Sequence, residues 1–400
     1  MNEPGQLPRP LQVLLVFLRL GCTSFGGPIA HLGYFRAEFV ERRGWLTEAT
    51  YGEFIALAQS MPGPASSQVG FAIGLLRGGW LGGLAAWIGF TAPSAALMLA
   101  FAFGYGHQQG RMGASVMHGL QLVAVAVVAQ AVVRMQRTLA PSALRLAIAL
   151  LGALTALFAP GAYATILAIA AGALAGLLLP HQEKESARDA PSFAVPVSRR
   201  SALIAAVLFV MLLSAALLLV GSSLVVPAVL ASLYRTGALV FGGGHVVLPL
   251  LEAAILQRHW LAQPSFLAGY GAAQALPGPL FSIAAHVGAS VRPNVHPLLL
   301  GMGALVALFL PGLLLMGAVL PFWSALRRHP LIASLVSGVN ASVVGVLAAA
   351  LYRPLWTTAI HSASDFAIAL AAFLLLVRFA VQPWIIVLGV SLVSILVTPR

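Results

Sequence analysis

Apolar residues along this chain come in long runs, with neither the two-residue alternation of a half-buried strand nor the narrow stripe of a surface helix. After polar residues 1–10, a first run leads to a glycine-rich stop near Gly26. Further runs cover roughly 51–76, 79–105, 114–134, 143–158 and 161–180. A stretch of aqueous character follows from His181 to Arg200, carrying Glu183, Lys184, Glu185, Arg188, Asp189, Pro191, Pro196 and Arg199. Runs resume at roughly 201–220, 225–250, 266–290, 298–322, 332–352, 366–379 and 383–398. A crossing needs about 20 apolar residues. The pattern therefore predicts an all-α polytopic membrane protein with about 12–13 transmembrane helices, six runs before the linker and seven after. The first run lacks an A-x-A site and is read as a span rather than a cleavable leader.

Composition narrows the function. The 400 residues are 60% hydrophobic and only 8% charged, against about a quarter charged in a globular domain, too few charges for a soluble enzyme of this size. The net charge is +12, and 21 of the 22 basic residues are Arg, whose planar fork suits oxyanions. They are scattered rather than gathered into a basic tract, so no nucleic-acid partner is expected. The single cysteine, Cys22, excludes an intrachain disulfide and a cysteine-rich metal site. The one lysine is not preceded by glycine, which excludes a P-loop, and neither HExxH nor GxSxG occurs. No cofactor or metal is expected.

The two halves repeat. FLRLGCTSFGGP at 17–28 aligns with LYRTGALVFGGG at 233–244, offset by 216, pairing Arg19 with Arg235 and Gly26-Gly27 with Gly242-Gly243. At an offset of 215, Arg43 and Trp45 match Arg258 and Trp260, and Gln59 with Pro62-Gly63-Pro64 matches Gln274 with Pro277-Gly278-Pro279. Pro93 matches Pro311 at 218, and Arg134 matches Arg353 at 219. The domain plan is an N-terminal repeat over 1–180, a cytoplasmic linker over 181–200, an extra connecting helix over 201–224 and a C-terminal repeat over 225–400. Seven runs separate equivalent points, an odd number, so the repeats are expected to be inverted, as in many secondary transporters. Placing the N-terminus and linker inside leaves nine basic residues of the first half in the cytoplasm, including Arg9 and Arg77, and four (Arg36, Arg42, Arg43 and Arg111) outside.

Two breaks per half mark the candidate site. Ser24-Phe25-Gly26-Gly27-Pro28 and its partner at Phe241 to His245 disfavour continuous helix. Pro62-Gly63-Pro64 and Pro277-Gly278-Pro279 are suited to starting a new helix. Such breaks are tolerated at membrane depth only inside protein or beside a wet cavity, so these are expected to be broken or re-entrant helices whose free N–H groups attract an anion. Arg19 and Arg235 lie six residues before each Phe-Gly-Gly, and Gln59 and Gln274 three before each Pro-Gly-Pro. The candidate substrate-binding set is thus Arg19, Gly26, Gly27, Gln59, Pro62, Gly63 and Pro64 with Arg235, Gly242, Gly243, Gln274, Pro277, Gly278 and Pro279. Acids are scarce. Glu53, Glu252, His31 and His245 are the candidate proton carriers, with ion pairing to Arg36, Arg43 or Arg258 as the alternative role for the two glutamates. An intramembrane lipid-modifying enzyme is the rival class, resting on His286 and Ser290 near the breaks.

FGGPIAHLGYFRAEFVERRGWL, FGGGHVVLPLLE and the paired Pro-Gly-Pro segments resemble the chromate ion transporter family in its long two-domain form, over nearly the whole chain. The resemblance implies a multi-pass protein of the bacterial inner membrane that exports chromate using the electrochemical gradient, with the glycines and prolines of the breaks as functional positions. Gly244 stands where the first half has Pro28, so the halves need not contribute equally. Chromate and sulfate share shape and charge, which leaves a sulfate or other oxyanion transporter or exchanger as the alternative. The expected partners are the oxyanion, the lipid bilayer and, as one option, a second copy in a homodimer.

Overall fold

A computed structural model describes residues 8–105, 111–159, 164–179, 196–241, 247–291, 295–326, 330–379 and 381–397. Pro10 pre-sets the first turn of α1 (Arg9–Thr23). The helix stops where Gly26 (φ 98°) and Gly27 (φ 77°) adopt backbone that side chains disfavour. α2 (Gly27–Arg36) then leaves the turn and continues into a π-helical turn, Ala37–Arg42. It doubles back along α1: Phe17 stacks on Phe39 at 5.0 Å and meets Phe35 edge-on at 5.4 Å.

A second hairpin follows. Thr47 caps α3 (Glu48–Ser60) by accepting the Thr50 N–H, and the chain breaks at Met61–Pro64. α4 (Ala65–Tyr105) is interrupted by non-helical Gly78 and Gly79, so its first part, 65–77, is the returning arm and its second part runs on from Trp80. Arg43 and Arg77 both lie over the Trp45 ring, at 5.3 and 5.0 Å. A Cβ on Gly78 would meet Pro10 at 3.5 Å. The start of α1 and the outer ends of both hairpins therefore share one end of the molecule.

This corrects two sequence expectations. Arg36, Arg42 and Arg43 do not lie on the face opposite Arg9 and Arg77; Arg43 shares a ring with Arg77, and Arg36 and Arg42 belong to the same ion-paired segment. The apolar run 51–76 is two hairpin arms rather than one span. The physical reason is shared: the Gly-Gly and Pro-Gly-Pro breaks reverse the chain instead of kinking it.

α5 (Arg111–Leu139), α6 (Ala143–Phe158) and α7 (Ala164–Gly176) complete the first half, and α8 (Arg199–Leu219) precedes the second. The second half retraces the pattern with α9 (Val225–Leu239), α10 (Val247–Ile255), α11 (Gln263–Ala275) and α12 (Ile283–Ser290). α9 matches α1 at 15 residues, and α11 matches α3 at 13. Arg258 donates to the Ser222 carbonyl at 3.4 Å, returning the exit of α10 to the loop before α9. α13 (Pro297–Val319), α14 (Trp323–Leu326), α15 (Pro330–Ala350), α16 (Thr357–Ala359), α17 (Ala363–Arg378) and α18 (Pro383–Val397) end the chain. α15 packs through small residues, as membrane helices do; a Cβ on Gly176 would lie 2.8 Å from the Gly338 Cα.

No strand occurs among the described residues. Among the described residues, five helical stretches are long and apolar enough to cross a membrane: Ala65–Gly104, Ser115–Leu139, Arg199–Leu219, Pro297–Phe322 and Ala333–Ala359. The protein is an all-α polytopic membrane protein. Most of the linker, 180–195, lies outside the described residues.

Candidate functional site

The hairpin tips meet each other across the repeat. Gly63 donates its N–H to the Val240 carbonyl at 2.7 Å, and Gly278 donates to the Ser24 carbonyl at 2.9 Å. The offsets that relate the halves carry Ser24 to Val240 (216) and Gly63 to Gly278 (215), so the two bonds are one bond made twice with the repeats exchanged. The packing around them is reciprocal too. A Cβ on Gly63 would lie 2.9 Å from the Gly312 Cα, and one on Gly278 would lie 3.0 Å from Ser94 Oγ; Ser94 and Gly312 are themselves 218 apart. Gly63 (φ 130°) and Gly278 (φ 94°) both occupy the region where a side chain is strained.

Each Pro-Gly-Pro opens a helix. The first helical bond of α4 runs from the Gln68 N–H to the Pro64 carbonyl at 2.9 Å, so the N–H groups of Ala65, Ser66 and Ser67 precede the intrahelical ladder. Beyond the second Pro-Gly-Pro, a 3₁₀ turn (Leu280–Ser282) leads into α12, with the Ser282 N–H bonded to the Pro279 carbonyl. Gln68 is fully buried and donates its side-chain Nε2 to the carbonyls of Pro62 (2.8 Å) and Gly312 (3.1 Å), tying the first tip to α13. The buried polar side chains on these tip segments are neutral: Ser24, Ser66, Ser67, Gln68, Gln274 and Ser282. Oriented N–H groups at helix starts favour negative charge, and neutral hydroxyls and amides supply directional donors without fixed cations.

The predicted residues separate into groups. Pro62, Gly63, Pro64, Pro277, Gly278 and Pro279 form the tips, and Gly26 and Gly27 form the turn beside Ser24. Gln274 is buried, whereas Gln59 is exposed. Arg19 is exposed on α1, one turn below the tip, with Glu38 within its field; Arg235 is half-buried on α9. Gly242, Gly243 and His245 lie outside the described residues.

Of the candidate proton carriers, His31 is buried with Nδ1 at 3.3 Å from Ser66 Oγ. Glu252 is half-buried on α10. Glu53 accepts the Trp323 indole N–H at 2.7 Å. The arginines expected near Glu53 are engaged elsewhere, Arg36 with Glu41 and Glu48, and Arg43 with Glu38. His286 lies 3.3 Å from the Ser265 carbonyl and 3.4 Å from Ser290 Oγ, so the Ser–His pair of the enzyme rival directs its second ring nitrogen at a main-chain carbonyl rather than at an acid.

Sequence reasoning missed Gln68, Ser67 and Ser282. The repeat carries a signal for Ser67 and Ser282, which are related by the same offset of 215 as the Pro-Gly-Pro segments, but none for Gln68, which falls on Ile283.

The profile of the chromate transporter family matches residues 11–177 and again 227–395. The chain belongs to the chromate transporter family. The two matches start 216 residues apart (227 − 11) and end 218 apart (395 − 177), the offsets given by the motifs. Relatives within it include the probable chromate transport protein of Synechococcus elongatus, 28% identical over 91% of this chain and 88% of its own length. The chromate transport protein of Pseudomonas aeruginosa is 27% identical over 86% and 81%, and that of Cupriavidus metallidurans 26% identical over 97% and 93%. No solved structure matches the chain.

Proposed function

We propose that the protein is a secondary transporter that exports chromate from the cytoplasm across the bacterial inner membrane, driven by the electrochemical gradient and acting as a carrier rather than an enzyme. The observation that carries this reading is the reciprocal bonding of the hairpin tips, Gly63 to Val240 and Gly278 to Ser24. It supports a two-fold relation between the repeats and sets each Pro-Gly-Pro helix start against a break of the other half. A tetrahedral dianion suits such a site because its charge and oxygens match oriented N–H and hydroxyl donors. Membership of the family adds the substrate, since curated relatives are chromate transport proteins.

The hairpins also support inverted repeats. With both hairpins of the first half returning to the face they leave, only the second part of α4, then α5, α6, α7 and α8 cross between equivalent points. Five is odd, so the second pair of hairpins opens from the opposite face. Moving Arg36, Arg42 and Arg43 to the face of Arg9 and Arg77 turns nine against four into twelve against one (9 + 3 and 4 − 3). That charge bias supports a cytoplasmic location for that face. Tips that meet at mid-depth, with hairpins open to opposite sides, are the parts alternating access needs.

The test is labelled chromate uptake into everted vesicles carrying the protein, with and without an uncoupler and with excess sulfate. Uptake abolished by the uncoupler is the expected result, and competition by sulfate would show a site that reads shape and charge. No chromate movement by well-inserted protein would overturn the substrate assignment.

A further inference from the structure

Ser67 and Ser282 occupy one position in the two repeats, 215 residues apart, each the third residue after its Pro-Gly-Pro. The two residues are 2% and 1% exposed, and neither Oγ has a hydrogen-bond partner. That is unusual. A serine in a membrane helix ordinarily bonds a carbonyl one turn back, as Ser60 does with Ala56 at 2.7 Å. A buried hydroxyl left without a partner is costly, and in a membrane water does not rescue it cheaply. The same condition recurs at Ser24 Oγ on the adjoining tip segment and at Thr91 Oγ1 in α4. Ser24 is held against the second tip by its own carbonyl, which accepts from Gly278.

We infer that Ser67 and Ser282 are the paired side-chain donors to the transported oxyanion, one from each repeat, each acting with the main-chain N–H groups at the start of its helix. This rests on the transport reading above and names the groups that bind. A tetrahedral dianion has oxygens enough to take a hydroxyl from each half at once. Two hydroxyls in equivalent positions then give the anion equivalent contacts whichever face is open. The donors are neutral, so the complex keeps the ligand's charge balanced by helix starts and by Arg side chains that do not touch it, rather than by a tight ion pair that would hold it fast.

The experiment uses the full chain carrying S67A, S282A and the double variant, with S60A as control. Chromate uptake into everted vesicles and the thermal stability of the detergent-purified protein without anion are both measured. Each single variant should raise the half-saturating chromate concentration about tenfold, and the double variant about a hundredfold, with S60A unchanged, as expected for losing one or two hydrogen bonds to a charged ligand. The anion-free melting temperature of the double variant should hold or rise, because an unpartnered hydroxyl is removed. A fall in that temperature would show that the hydroxyls serve the fold, and unchanged half-saturation would show that the anion does not touch them; either overturns the inference. Wild-type protein that moves no chromate would instead overturn the transport reading on which it rests.

Discussion

The main-chain N–H of Gly63 is bonded to the carbonyl of Val240 at 2.7 Å, across the boundary between the two repeats. A carbonyl exposed by a helix break at membrane depth must find a donor, because hydrocarbon offers none. Here each half supplies the donor the other lacks, with Gly278 and Ser24 making the return bond. The breaks are thus stable only in pairs, and the tips of opposite halves are coupled by the groups their breaks set free.

Replacing Gly63 or Gly278 by alanine should damage this junction. At Gly63 the φ of 130° is strained for any side chain, and the new Cβ would lie 2.6 Å from Gln68 Nε2 and 2.9 Å from the Gly312 Cα. Left-handed backbone alone costs about 1–2 kcal/mol. We expect Gly63→Ala to lower stability by about 2–4 kcal/mol once displacement of a buried neighbour is added, and Gly278→Ala somewhat less, since its nearest neighbour is the movable Ser94 Oγ at 3.0 Å. Gly52→Ala in α3, where nothing lies within 4 Å, should be neutral or slightly stabilising. Thermal unfolding in detergent ranks the three, and a Gly63→Ala protein as stable as wild type would contradict the junction.

Arg19→Ala and Arg235→Ala should each abolish chromate transport while leaving membrane insertion intact. Arg19 is exposed, so its loss should change stability by no more than about 0.5 kcal/mol. Its expected role is to supply positive potential to the tips from one helical turn away rather than to hold the anion. Vesicle uptake normalised to inserted protein is the measurement. Wild-type rates in both variants would remove the arginines from the mechanism.

The breaks were legible because glycine and proline are exceptions to the rules of helix, and because each exception occurs twice at one offset. What the apolar pattern could not give was direction. A run of 26 residues such as 51–76 has the same hydropathy whether it crosses the bilayer or folds back at Pro62-Gly63-Pro64. The first run likewise reads the same whether it crosses or folds back at Gly26-Gly27, which is why Arg36, Arg42 and Arg43 fall on the opposite face in a sequence reading, and the stacking of Arg43 and Arg77 on Trp45 is a tertiary contact that no local pattern encodes. Ser67 and Gln68 do not stand out in the sequence, because a lone polar residue in a membrane helix reads as packing glue. Only burial and the absence or presence of a partner separates Ser67 from Ser60.

Acid should loosen the contact between α5 and α17. Asp365 begins α17, outside the apolar run, and accepts from His118 Nε2 at 2.8 Å and from the His361 N–H at 3.0 Å. Burial opposes its ionisation, but the hydrogen bonds from His118, His361 and Ser362 outweigh that and hold its carboxyl below the ordinary range. A carboxyl depressed on folding contributes stability that is present above its unfolded pKa, about 3.9, and lost as pH falls through the lower folded value. Melting temperature should therefore fall below about pH 4, and the fall should be shallower in Asp365→Asn. Equal acid sensitivity in both proteins would show that the carboxylate is not the group responsible.

Glu53 and Trp323 join the second hairpin of the first repeat to the helix that follows α13, with the indole N–H donating at 2.7 Å across 270 positions of sequence. The equivalents by offset are Ala268 (53 + 215) and Tyr105 (323 − 218), which lack the charged acceptor, so this tie belongs to one face only. A hydrogen bond to a charged group contributes about 1.5–3 kcal/mol. Trp323→Phe should therefore destabilise the protein by about that amount, while Glu53→Gln, which keeps a carbonyl acceptor, should cost less than about 1 kcal/mol. The pair of substitutions also separates tie from proton carrier. A tie predicts that Glu53→Gln transports chromate with undiminished sensitivity to an uncoupler, because the acceptor survives although the titratable group is gone. Were Glu53→Gln as stable as wild type yet indifferent to the uncoupler, Glu53 would carry the proton and its bond to Trp323 would be the gate that proton opens.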